Sequence, residues 1–71
     1  MGVSLEEQIK IVKREIAFRK KLYPRWVESG KMTQLEANYQ IDGMECVLNS
    51  LIVLRNFQLD LISKNENLIK E

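Results

Sequence analysis

The sequence predicts an all-α fold, a helical hairpin whose C-terminal helix is much longer than its N-terminal helix. Three observations favour this fold. Apolar residues recur every three or four positions along two stretches, a capping motif precedes each stretch, and the one proline lies between them with a glycine. The 71 residues are enough for a single domain. Because the second helix would extend past the first, we expect the hairpins to assemble into an oligomeric helical bundle.

The composition argues against several classes of function. Hydrophobic residues make up 45% of the chain and charged residues 30%, as in soluble globular proteins. Histidine is absent and there is one cysteine, so the chain has no intrachain disulfide, no zinc ligand set and no Ser-His or Cys-His pair. We therefore expect the protein to have no enzymatic activity, no catalytic residue, no bound metal and no cofactor. No long apolar run or signal peptide is recognisable, which predicts a cytoplasmic protein without a membrane segment.

The first helix is predicted over about residues 5–22. Ser4 and Glu7 have the spacing of a capping box, in which two side chains accept hydrogen bonds from free backbone N–H groups at the helix start. Pro24 favours an end near Tyr23, because proline restricts the preceding residue and cannot donate a backbone hydrogen bond. The first helix should therefore end before the proline.

The apolar residues of this helix fall into two stripes, about 130° apart at 100° per residue. Glu15 and Arg19 lie between the stripes and are unfavourable residues to bury. Two stripes predict two packing partners, although a single broad face packed within the chain is the alternative. The first stripe contains Leu5, Ile9, Val12, Ile16 and Tyr23, and the second contains Ile11, Phe18 and Leu22.

A separate short helix is predicted over about residues 24–29. Proline is favoured at the first position of a helix, and Gly30 can end one in the left-handed conformation. Trp26 is expected to fill the open end between the two long helices, since so small a chain needs its large side chains in the core. Contact with a ligand is the alternative role for this indole.

The long helix is predicted over about residues 34–68. Thr33 and Glu36 have the spacing of a capping box, and Gly43 is the only glycine inside, which permits a bend. Apolar residues occupy more than half of the helix surface, so more than one partner should cover them. Cys46 lies on an apolar stripe, which predicts a buried structural thiol.

The difference in length between the helices predicts an exposed apolar strip. A first helix of about 18 residues spans ~27 Å and covers roughly half of a second helix of ~52 Å. Two chains whose long helices run antiparallel would cover the remainder, so the chain itself is an expected partner, as a homodimer or higher oligomer. The predicted interface residues are Leu54, Phe57, Leu61, Ile62 and Leu68.

Charge is divided unevenly along the chain. Residues 10–31 contain eight basic and two acidic residues, a net charge of +6, and the remainder contains three basic and eight acidic residues, a net charge of −5. Oppositely charged parts can pair across an antiparallel dimer and fix its orientation. The basic first helix could instead bind DNA without sequence preference, but DNA is a disfavoured partner because the exposed strip of the long helix is acidic.

The basic residues near the turn allow another interpretation, a pocket for a small anionic nucleotide. The N-terminus of a helix binds phosphate through its free N–H groups and positive dipole end, and aromatic rings stack on bases. Such a protein would be a sponge that sequesters a phosphorylated ligand such as a cyclic nucleotide. The predicted ligand-binding residues are Tyr23, Arg25, Trp26, Lys31, Thr33 and Tyr39.

The turn and the start of the long helix carry a Y-P-x-W motif from Tyr23 to Trp26 and a G-x-M-T motif from Gly30 to Thr33. With the spaced apolar residues that follow, as far as Leu48, this segment resembles short phage and prophage helical proteins of uncharacterised function. The resemblance implies the same hairpin, a phage or prophage origin, and a host protein as partner. It assigns no binding or catalytic residue. The sequence thus favours a non-enzymatic oligomeric binding module.

Overall fold

Two antiparallel α-helices joined by a short loop make up the protein in this computed structural model. Helix α1 runs over Leu5–Glu28 and helix α2 over Gln34–Lys70. The structure describes the backbone of residues 2–70 and the side chains of residues 2–64. The hairpin measures 63 × 22 × 17 Å, and its described backbone contains no strand. The predicted all-α helical hairpin with a longer second helix is therefore confirmed.

Helix α1 continues through Pro24, so the predicted end near residue 22 and the predicted separate helix over residues 24–29 are wrong. Proline inside a helix removes one hydrogen bond and costs about 3 kcal/mol. Burial next to the proline offsets this cost, because Tyr23 is 6% exposed and the Trp26 ring stacks on it at a centroid distance of 5.8 Å. Pro24 itself is exposed, so its ring does not interrupt this packing.

Gly30 has the predicted left-handed conformation, with a φ of 82°, and it follows the end of α1 rather than that of a separate short helix. The backbone N–H of Lys31 donates to the Trp26 carbonyl oxygen at 2.9 Å, and the N–H of Gly30 donates to the Val27 carbonyl oxygen at 3.2 Å. These two bonds form a Schellman motif, which satisfies carbonyl groups that the end of a helix leaves free. The chain can therefore leave the helix sharply and return along α1.

Both helices begin at the capping residues that the sequence predicts. The Ser4 hydroxyl accepts a hydrogen bond from the Glu7 N–H at 3.2 Å, and the Thr33 hydroxyl accepts one from the Glu36 N–H at 3.1 Å. Within residues 2–64 neither glutamate carboxylate returns the bond, so half of each capping box forms. A cap of this kind stabilises a helix by about 1 kcal/mol.

The two helices meet along rows of residues with heptad spacing, which we call the seam. Ile9, Ile16 and Tyr23, seven residues apart, are buried between the helices, and Ala37 is buried on α2. Half-buried residues continue both rows at steps of three and four, as in an antiparallel coiled coil. On α1 they are Leu5, Val12, Arg19 and Trp26, and on α2 they are Ile41, Met44, Leu48, Leu51 and Arg55.

Helix α2 extends past α1, but by less than the sequence predicts. The Glu6 carboxylate contacts the Arg55 guanidinium at 3.5 Å, so the first turn of α1 lies beside Arg55. Because α1 continues through Pro24, it has 24 residues rather than about 18, and α2 has 37. Helix α1 therefore lies along about two-thirds of α2 instead of half.

The predicted interface residues lie at the end of the hairpin away from the loop. Leu54 and Phe57 lie beside the first turns of α1, whereas Leu61 and Ile62 lie on the part of α2 that extends beyond it. All four are exposed in the single chain. Leu68 falls outside the described side chains. The exposed apolar strip thus starts beside α1 and continues past its end.

Candidate interaction surface

One side of the hairpin carries ion pairs between the helices, and we call this side the ionic face. The Lys20 ammonium contacts the Glu45 carboxylate at 3.4 Å, and Glu6 contacts Arg55 at 3.5 Å. Glu6 and Lys20 are two heptads apart and therefore lie on the same side of α1. The two ion pairs thus define how the helices are rotated relative to each other.

This rotation puts apolar residues of both helices on the side opposite the ionic face. At 100° per residue, Lys20 lies about 70° to one side of the middle of the α1 seam, and Leu22 lies about 90° to the other side. On α2, Glu45 and Val47 lie about 80° to either side of the middle of the seam. Since Lys20 contacts Glu45, Leu22 and Val47 share the opposite side of the hairpin.

We call this opposite side the apolar face, and it continues along most of α1. The ion pairs set the levels of the helices, so Phe18 lies within about one turn of Val47, and Ile11 within about one turn of Leu54. Phe18 is 59% exposed and Ile11 is 53% exposed. The face consists of Ile11, Phe18, Leu22, Val47, Leu54 and Phe57, all exposed except the half-buried Leu22.

One charged residue interrupts the apolar face and is neutralised locally. Glu15 lies between Ile11 and Phe18, and its carboxylate accepts a hydrogen bond from the Arg19 Nε at 3.0 Å. The Arg19 Nη1 also donates to the Tyr23 hydroxyl at 2.9 Å. These bonds, the one to Glu15 first, raise the pKa of Arg19 above its ordinary value, so the guanidinium remains charged. Both charged side chains remain partly exposed, in line with the expectation that they are poor residues to bury.

The side of α2 away from α1 carries a further apolar row, which we call the outer row. Tyr39, Cys46 and Val53 repeat every seven residues and are exposed, Tyr39 to 76% and Val53 to 67%. At 100° per residue, Cys46 lies about 160° around the helix axis from both Met44 and Leu48 in the seam. The prediction of a buried Cys46 is therefore wrong for the hairpin, because α1 packs against the other side of α2.

Two of the three aromatic residues of the predicted nucleotide site line one groove. Tyr23 and Tyr39 line a groove of about 470 Å³, and the charged residue in its lining is Glu36, which repels an anion. Trp26 does not line this groove, and its ring stacks on Tyr23. The groove therefore offers one exposed ring, that of Tyr39, for stacking and contains no positive charge in its lining.

The other predicted ligand-binding residues do not line this groove. Arg25 lines a separate depression of about 210 Å³ with Phe18 and Leu22. Lys31 is exposed in the loop, and the Thr33 hydroxyl already accepts the capping hydrogen bond. Neither Arg25 nor Lys31 thus lines the groove, and the nucleotide pocket stays a prediction.

Helix α2 is long and apolar enough over Gln34–Lys64 to cross a membrane, by length and composition alone. Core helices of soluble proteins can be equally long and apolar. In the hairpin, one side of α2 packs against α1. Asp42, Glu45, Arg55 and Asp60 lie within the segment, and charged side chains are unfavourable in a bilayer. Association of the chain with a membrane should therefore be tested alongside binding to a protein partner.

Groups that could carry chemistry do not converge in the part of the chain with described side chains. No set of three or more cysteine or acidic residues in that part is positioned to hold a metal ion. The expectations of no metal and no enzymatic activity remain predictions.

The sequence shows apolar stripes on both helices, but it does not show that two of them share one side of the hairpin. The missed signal is Lys20 and Glu45, opposite charges that flank the seam on their own helices. Comparisons of the chain with protein-family models, with curated proteins and with solved structures found no match.

Proposed function

We propose that the chain is a non-enzymatic binding module that works as a homo-oligomer. We further propose that a phage or prophage encodes the chain and that its target is a protein of the host cell. The observation that carries this proposal is the apolar face, which runs along both helices with nothing covering it among residues 2–64. An exposed apolar surface that extends along both helices marks an interaction site.

Self-association is supported by the small size of the buried core. Four residues are buried in the part of the chain with described side chains, and a chain of this length rarely gains more than roughly 3 to 5 kcal/mol from its own core. Full burial of one phenylalanine or leucine side chain contributes about 1.5 to 3 kcal/mol. A second copy that covers Phe18, Leu54 and Phe57 would therefore add as much stability as the hairpin core itself.

A protein target is supported by the outer row, which remains free when the apolar face is covered. Tyr39 and Val53 point away from α1 and are among the most exposed large apolar residues. Aromatic residues are enriched at the centres of protein interfaces.

Sequestration of a small phosphorylated ligand is the second candidate, supported by the groove between Tyr23 and Tyr39. Its volume of about 470 Å³ lies within the range of small-molecule sites. The Tyr39 ring, which is 76% exposed, suits a base by stacking, whereas Tyr23 is 6% exposed and Glu36 in the lining opposes a phosphate. A protein target is therefore the leading proposal.

Sedimentation velocity and ligand-dependent melting of the full chain test these proposals. We expect a dimer or larger species at micromolar concentration, and a folded monomer of 8.4 kDa would contradict self-association. A panel of cyclic nucleotides should leave the Tm unchanged. A nucleotide at 100 times its Kd adds about 2.7 kcal/mol to the free energy of unfolding, so a raised Tm would favour the second candidate.

Capture from a bacterial lysate tests the protein target. The immobilised parent chain should retain a host protein that the Val53→Asp variant loses, because a carboxylate in the outer row is costly to bury. Asn38→Asp is the matched control, since it puts the same side chain at an exposed position of α2 on the ionic face. If both variants lose the captured protein, or neither does, the outer row is not the docking surface.

A further inference from the structure

We propose that a second copy of the chain covers the apolar face, with α1 of each copy packed against α2 of the other about a two-fold axis parallel to the helices. This inference rests on the self-association proposed above and specifies its geometry. The product is a four-helix bundle in which every pair of neighbouring helices is antiparallel.

Two symmetric arrangements bring the apolar faces of two hairpins together. A two-fold axis parallel to the helices puts unlike helices opposite each other, whereas an axis across the helices, in the plane of the interface, puts like helices opposite each other. Both arrangements make neighbouring helices antiparallel, so helix direction does not distinguish them. Charge and side-chain size do.

Net charge favours contacts between unlike helices. Helix α1 contains seven basic and four acidic residues, a net charge of +3, and α2 contains three basic and five acidic residues, a net charge of −2. Packing like helices would bring two helices of +3 together, whereas packing unlike helices pairs opposite charges at both contacts. The division of charge that the sequence displays thus has a structural use in this arrangement.

Arg25 and Glu36 supply a specific ion pair for this arrangement. Both are exposed, and neither forms a salt bridge with another residue of the described side chains. Arg25 continues the heptad row of Ile11 and Phe18 on α1, and Glu36 continues the heptad row of Phe57 on α2. The two residues lie at similar levels on either side of the loop. An axis parallel to the helices therefore brings Arg25 of each copy opposite Glu36 of the other.

Gly43 supplies an independent argument from size. A glycine inside a helix costs about 1 kcal/mol relative to alanine. A Cβ at Gly43 would meet nothing within 4 Å, so packing within the single chain gives no reason for a glycine here. In the proposed dimer Gly43 lies opposite Phe18 of the second copy, and Ser50, one heptad on, lies opposite Ile11. Small residues of α2 thus receive large residues of α1.

Paired cysteines distinguish the two arrangements. Ile11→Cys and Ser50→Cys, combined in a Cys46→Ala background, place one thiol on each side of the proposed contact. Within one chain these positions lie on opposite edges of the apolar face, on helices whose axes are about 8 to 10 Å apart. A disulfide needs Cα atoms within about 7 Å, so the pair can close only between two copies. The single-cysteine variants in the same background are the matched controls.

We expect the double variant to oxidise to a covalent dimer and both single variants to stay uncross-linked on a non-reducing gel. Cross-linking of either single variant would indicate like helices in contact and overturn the arrangement. A double variant that sediments as a dimer without cross-linking would also overturn it, while leaving the proposed self-association intact. A folded monomer would overturn both, and flotation of that monomer with phosphatidylcholine vesicles would identify a membrane as what covers the face.

Charge reversal tests the ion pair separately, with circular dichroism to check that helicity is unchanged. Arg25→Glu should raise the Kd of the dimer about tenfold, because two repulsive contacts replace two attractive ones. Combining it with Glu36→Lys should restore most of the affinity. If the combined variant associates no better than Arg25→Glu alone, Arg25 and Glu36 do not meet and the arrangement is wrong.

Discussion

The seam and the apolar face have similar residues at the same spacing but differ in what covers them. Ile9 and Ile16 in the seam are 3% and 6% exposed, whereas Ile11 and Phe18 on the apolar face are 53% and 59% exposed. All four residues belong to α1. Heptad spacing therefore identifies a packing surface without identifying its partner, because the period does not tell which neighbour covers a row.

The ionic face differs from both surfaces in what it contributes. Lys20 and Glu45 are each about half exposed, and exposed ion pairs contribute at most about 1 kcal/mol to stability. Their position nevertheless decides which apolar rows end up on the opposite side. The ionic face thus orients the hairpin, the seam stabilises it, and the apolar face is left for a partner.

Shortening a seam residue should give the largest effect. Ile16→Ala should lower the free energy of unfolding by about 2 to 5 kcal/mol, because it leaves a cavity among buried side chains. Ile11→Ala makes the same chemical change on the apolar face and should cost the monomer much less. Urea denaturation followed by circular dichroism, at concentrations where the chain is monomeric, measures both. Equal losses of free energy of unfolding in the two variants would mean that the seam and the apolar face are equally buried within one chain, and the proposed difference between them would be wrong.

A charge on the apolar face should give the next largest effect. Leu54→Asp should convert the oligomer to monomers, because the partner would have to bury an unpaired carboxylate. Asn49→Asp puts the same side chain at an exposed polar position of α2 and should leave the oligomer intact. Sedimentation at matched concentrations compares the two variants. An oligomer that tolerates Leu54→Asp would have to associate through another surface, such as the outer row.

The features that the sequence predicts correctly depend on residues close together in the chain. The caps at Ser4 and Thr33 and the left-handed Gly30 each involve neighbours within about one turn, and all three are present. Two long helices then follow from the apolar periodicity and the loop between them. Short-range chemistry of this kind needs no knowledge of tertiary packing.

The predictions for Pro24 and Cys46 are wrong because tertiary packing decides both features. Helix α1 continues past Pro24 because Tyr23 is buried in the seam, and local rules about proline do not include that burial. Cys46 is exposed because α1 packs against one apolar row of α2 and leaves the outer row free. Within the candidate surface, the predicted helix lengths indicate an exposed apolar strip on α2. Whether that strip joins the apolar residues of α1 depends on how the two helices are rotated relative to each other.

The smallest effect should come from the ionic face, where Lys20→Ala and Glu45→Ala form a double-mutant cycle. Both side chains are about half exposed, so their coupling free energy should not exceed about 1 kcal/mol. Raising the salt from 0.1 M to 1 M shortens the Debye length from about 10 Å to 3 Å and should weaken the coupling further. Urea denaturation of the parent, both single variants and the double variant at each salt concentration measures this coupling.

A coupling well above 1 kcal/mol that persists at high salt would mean that a partner shields this pair from solvent. The ionic face would then be a second covered surface, and the difference between the two sides of the hairpin would no longer single out the apolar face as the site of association.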